Sequence, residues 1–67
     1  MAIMKVIEVM ANSTESWEDA ARNAVKHASK TVKNIQSAYV REQSMVVKDN
    51  DVSEFRVNVK ISFTINE

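Results

Sequence analysis

The chain is expected to be α+β, with the order strand–helix–strand–strand and a three-stranded antiparallel sheet partly wrapped around one helix. Three observations point there. Residues 53 to 65, "SEFRVNVKISFTI", place Phe55, Val57, Val59, Ile61, Phe63 and Ile65 in strict alternation with polar residues, the period of a half-buried strand. Residues 17 to 32 place Trp17, Ala20, Ala21, Ala24, Val25, Ala28 and Val32 at helical spacing. Between them, residues 35 to 48 read as a further strand, joined to the last by the turn "KDND".

The elements follow in order. "IMKVIEVM", residues 3 to 10, reads as the first strand. Ile3, Ile7 and Val9 lie on one face and Met4, Val6 and Met10 on the other, and a strand with two apolar faces is expected to be covered on both sides. One helix covers only one of them. After the polar break "ANST", Ser16 is placed to cap the helix, with Asp19 three residues on as a shorter relative of the capping-box glutamate. Glu18 and Asp19 in the first turn, and Lys30 and Lys33 near the end, suit the helix dipole. A helix of about 18 residues would span ~27 Å, whereas a strand of about 11 residues spans ~36 Å. The mostly alanine stripe lets the helix lie close on the sheet. In the turn, Asn50 or an Asp takes the left-handed conformation that glycine would otherwise supply. The last strand, with the longest apolar face, is expected at the centre of the sheet. The overhanging Phe63 and Ile65, or Phe55, then need a cover from outside the chain.

Size and composition limit the rest. The 67 residues make one domain, 1–67. A domain this short buries only about 60% of its unfolded surface and usually needs a staple. With no cysteine and one histidine, disulfides and zinc sites of the usual kind are excluded, which leaves oligomerisation. Nine basic and nine acidic residues balance, so a nucleic-acid partner is not expected. The apolar start is interrupted by Lys5 and Glu8 and is too short for a membrane span, so the cytoplasm is the expected compartment. Without glycine there is no P-loop and no dinucleotide fingerprint. No nucleophile–base pair is visible, so a non-enzymatic protein is expected.

The strands "KVIEV", "VREQ" and "FRVNVKISFTI" and the helix "TESWEDAARNAVKHASKTVKNI", in this order and spacing, resemble the dodecins. The resemblance covers nearly the whole chain. It implies a hollow homododecamer with helices outside and sheets lining the interior, acting in binding or storage of a small ligand. In flavin-binding members a tryptophan in an "N-L-D-W-F-E-V" segment stacks on the flavin, and a glutamine in "Y-Q-V" contacts the ring edge. Here the segments read "NIQSAYV" and "FRV", so Ser37 and Arg56 stand at those positions. The resemblance therefore implies a flavin (FMN, FAD or riboflavin) as one ligand class, with its usual site altered. Calcium is the other. "EQSMVV", "FRV" and "ISF" are similar to the calcium-dodecin subgroup, which also lacks the tryptophan.

Tyr39, on the same strand face as Ser37 at period two, is a candidate replacement for the lost ring, and Gln43 is a further candidate. Arg56 is expected to pair with Glu42 or another carboxylate across the sheet, or to grip an anion. Trp17, in the first helical turn, is expected to pack in the core or between subunits. His27 is expected to be solvated. Glu8, Glu15, Glu18, Asp19, Glu42 and Glu54 are the carboxylates available to a hard cation. Calcium takes six to eight oxygens, and no single segment supplies them, so a metal site would be assembled between subunits. "DND" at 49–51 lacks the glycine and distal glutamate of a calcium loop and is expected to be a hairpin turn.

Overall fold

The computed structural model describes residues 3–65. Strand β1 (Ile3–Ser13) leads to helix α1 (Trp17–Ala28), then to strands β2 (Ile35–Lys48) and β3 (Asp51–Ile65). The sheet order is β1-β3-β2, with both neighbouring pairs antiparallel. The strand with the cleanest alternation is therefore the central one. Its odd-numbered residues Val57, Val59 and Ile61 are completely buried beneath Ala20, Ala24 and Ala28 of the helix. Ile7, Val9 and Ala11 of β1 and Ile35 of β2 close the flanks of this core.

The helix begins as the sequence predicts. Ser16 accepts a hydrogen bond from the Asp19 amide at 2.9 Å. Asp19, however, does not reach back to the Ser16 backbone. Its carboxylate accepts from the Ser13 hydroxyl at 2.7 Å, and that hydroxyl in turn accepts from the Glu15 amide at 2.9 Å. The aspartate is one methylene shorter than glutamate, and buried Ser13 relays its reach to the last residue of β1.

The helix is shorter than expected, at 12 residues. The amides of Lys30 and Thr31 bond three residues back, to His27 and Ala28, and tighten the last turn. Ser29 turns its hydroxyl onto the Lys26 carbonyl at 2.7 Å. Asn34 then takes a left-handed φ of 64°, and its carbonyl accepts from the Thr64 amide, joining the chain to the end of β3. Twelve residues of helix cover ~18 Å, while β3 with its 15 residues runs for ~50 Å. The overhang is thus larger than the sequence suggests, and the chain measures 51 × 19 × 14 Å.

The hairpin turn forms at Asp49 and Asn50, with φ of 53° and 63°, between the paired residues Lys48 and Asp51. Two left-handed residues make the turn whose twist matches the flanking strands.

Covering departs from expectation at Phe55 and follows it on β1. Phe55 is covered within the chain, by Trp17, whose ring meets it edge-on at a centroid distance of 5.0 Å; Phe63 and Ile65 are half-buried. On β1 the second apolar face has no cover in the chain, and Met4, Val6 and Met10 are 49%, 58% and 62% exposed. Met45, Val47 and Val52 are likewise exposed near the hairpin.

Replacing the cap, Ser16→Ala, is expected to lower stability by about 1 kcal/mol, read as a shifted urea midpoint at fixed protein concentration. Ser16→Asp is expected to retain most of it, because its carboxylate accepts the same bond.

Candidate functional site

The sheet face turned away from α1 is built from the even-numbered residues of β3. Three cross-strand rows on it matter: Val6–Ser62–Ser37, Glu8–Lys60–Tyr39 and Asn12–Arg56–Ser44. Ser37 and Tyr39 share this open face. Ala38 and Val40, opposite Ile61 and Val59, share the helix side.

The Ser37 and Ser62 hydroxyls are hydrogen-bonded to each other. Tyr39 is 65% exposed. Arg56 donates from Nε to the Asn12 Oδ1 at 2.9 Å. Its expected partner Glu42 lies opposite Asn58 instead, because the register brings Ser44 to Arg56. Ser62, the cross-strand partner of Ser37, and Arg56 are six residues apart along β3, a distance of ~20 Å. One chain therefore does not bring Ser37 and Arg56 together. A small ligand touching both must take one from each of two copies.

Gln43 is separated from the others by a β-bulge. The register of β2 against β3 shifts between Val40 and Glu42, leaving Arg41 as the extra residue. Beyond it the alternation changes phase, and Gln43 pairs with buried Val57 on the helix side. Arg41 meanwhile reaches across β3 to Glu8, with Nη1 3.5 Å from Oε2. Both side chains are roughly half exposed. Neither Lys60 nor Arg41 stands out in the sequence: Lys60 is one polar residue of an alternating strand, and a bulge leaves no pattern to read.

Trp17 packs on Phe55 and donates from Nε1 to the Ser44 carbonyl at 3.0 Å, which accounts for it as a packing residue. His27 is exposed and lines a groove of about 260 Å³ between α1 and β1, with Val9, Met10 and Asn23. A second groove of about 400 Å³ separates α1 from β2, bounded by Ala21, Val25, Ala38 and Val40. Among the described residues, no group of three or more His, Asp or Glu side chains is gathered in a way that could hold a metal ion. No helix among them is long and apolar enough to cross a membrane.

A family model described as Dodecin matches residues 3–66. The chain is 38% identical over 63 residues to the calcium dodecin of Mycobacterium tuberculosis, covering 94% of this chain and 89% of that one. The solved structure of that protein, described as a calcium-chelating antigen with a novel calcium-binding site, superposes with a TM-score of 0.85 at 36% identity, covering 96% and 91% of the two chains. The dodecin from Streptomyces davaonensis superposes with a TM-score of 0.93 at 26% identity, covering 98% and 97%. Backbone fit and sequence identity thus rank these two relatives in opposite orders.

The Arg41–Glu8 pair spans the sheet in solvent. Glu8→Gln is expected to cost under ~1 kcal/mol, and a urea melt in 1 M salt should show the difference vanish as the charges are screened.

Proposed function

This chain belongs to the dodecin family, and we propose that it is a non-enzymatic binding and storage protein of the cytoplasm. It works as a closed homododecameric shell that takes up calcium between copies. The calcium dodecin, a relative covering most of the chain, supports the choice of ion. The observation that carries it is at Ser37. Where the resemblance to flavin-binding members calls for a stacking ring, two bonded hydroxyls stand instead, and hydroxyl oxygen is a ligand type that suits a hard cation.

The need for copies follows from shape. A folded monomer of this mass exposes about 4,300 Å², and this chain exposes 5107 Å². The excess, about 800 Å², is what one partner contributes to a standard interface. The Cα radius of gyration is 13.7 Å, against about 11 Å for a compact domain of this length. The uncovered face of β1 and the grooves beside α1 are the surfaces that copies would close.

Native mass spectrometry of protein taken directly from cells is expected to show a single species of twelve chains. A compact monomer at micromolar concentration would overturn the shell. Calorimetry on chelator-stripped protein is expected to show heat on adding calcium chloride. At a hundredfold excess over Kd, calcium should stabilise the protein by about 2.7 kcal/mol, reversed by chelator. No heat and no change in melting would overturn the calcium reading.

Restoring the ring and the amide, Ser37→Trp with Arg56→Gln, tests whether these positions correspond to the family's flavin site. One stacked ring contributes about 1–3 kcal/mol, so flavin affinity should rise roughly tenfold or more over the parent, read by quenching of flavin fluorescence. No gain would remove the correspondence.

A further inference from the structure

We propose that the groove between α1 and β2 binds an alkyl carboxylate, with its hydrocarbon chain on Val25, Ala38 and Val40 and its charged end at Arg22 and Lys26. The inference does not rest on the calcium reading. It uses the helix side of the sheet, and it leaves the open face of β1 and the groove between α1 and β1 to neighbouring copies.

The groove exists because the helix lies off-centre. Ala20, Ala24 and Ala28 sit on β3, and Ile7, Val9 and Ala11 of β1 close that flank. On the other flank Ala38 and Val40 share the helix side, opposite Ile61 and Val59, yet both stay exposed, Val40 at 38%. Between them and the half-buried Ala21 and Val25 of the helix lies a volume of about 400 Å³, and small-molecule sites run from about 300 to 1,000 Å³. The floor is hydrocarbon throughout. No aromatic residue lines it, so burial of a flexible chain, and not ring stacking, is what this groove offers a ligand.

The charged residues of the lining are Arg22 and Lys26, one helical turn apart on the rim. Among the described residues the one ion pair is that of Arg41 and Glu8, so neither rim cation has a carboxylate partner. The acids that flank them in the chain do not pair with them. Glu18, one turn before Arg22, forms no ion pair with it. The Asp19 carboxylate accepts from Ser13 and Asn23. Glu42 lies opposite Asn58, on the other face of the sheet. From residue 20 to residue 41 the chain carries Arg22, Lys26, Lys30, Lys33 and Arg41 and no acid at all. The neutral total of the chain therefore conceals a positive stretch, and this groove is the apolar part of it. A ligand with an anionic head and a hydrocarbon tail satisfies both halves at once.

The test compares octanoate with octanamide, which share a chain and differ in charge. Calorimetry and ligand-observed saturation-transfer NMR are run on the full-length oligomer, stripped of divalent ions so that calcium does not precipitate the carboxylate. Octanoate is expected to bind about tenfold more tightly than octanamide, the size of a partly screened charge–charge contact, and the gap should narrow as salt is raised. From hexanoate to octanoate each added methylene should tighten binding by up to about fourfold. Arg22→Gln with Lys26→Gln is expected to bring octanoate down to the affinity of octanamide, whereas Val40→Ser should weaken both. Equal affinity of the parent for octanoate and octanamide, or no binding of either at millimolar concentration, overturns the proposal whatever the variants do. So does undiminished octanoate binding by the double variant. Native mass spectrometry on the same samples supplies a further check: dissociation of the oligomer at concentrations that bind octanoate would make the groove a contact between copies and overturn the ligand site. Because divalent ions are absent throughout, these results leave the calcium reading to its own titration.

Discussion

Everything in this chain depends on one contact, the seating of three alanines on three branched aliphatic residues. Ala20, Ala24 and Ala28 meet Val57, Val59 and Ile61, and among the described residues these six side chains make up the buried apolar core. Alanine brings the helix backbone close to the sheet without loss of side-chain entropy, and the β-branched residues below present stiff, well-defined surfaces. The contact is only as long as the helix. It holds the middle of a sheet that extends well beyond it at both ends, with Trp17 on Phe55 as an outrigger toward the hairpin.

A core this small explains the remaining surface. The helix protects one side of the central strand, and the edge strands keep apolar residues such as Val6 and Met10 in the open. For a soluble protein such a surface marks an interaction site when it is contiguous. β1 is also an edge strand, and its unpaired backbone groups are a template for another chain. The proposed shell would dispose of both liabilities together, and stability and assembly would then be one equilibrium, with a melting temperature that depends on protein concentration.

The open face shows how one irregular residue redistributes chemistry. The bulge at Arg41 sends Gln43 to the helix side and leaves an arginine free to cross the sheet to Glu8. Ser37 and Arg56, which the family resemblance pairs in one site, stand three rows apart with other partners. Any shared role for them belongs to an assembly of copies, whereas Tyr39 and Lys60 are neighbours within one.

The element order, the central place of the last strand, the Ser16 cap and a left-handed turn within "KDND" are all legible in the residues alone. Each is a matter of local periodicity or backbone preference, and local preference is legible residue by residue. It also carried the family, through motifs spread along the whole chain. The early end of the helix at Ala28, the Asn12 partner of Arg56 and the side of the sheet on which Gln43 lies emerge only from the folded chain. The last two depend on the register between strands, which local periodicity does not encode. The bulge at Arg41 reverses the side chains from Glu42 to Val46, until a second shift before Val47 restores the phase, and neither alters the composition that announces the strand.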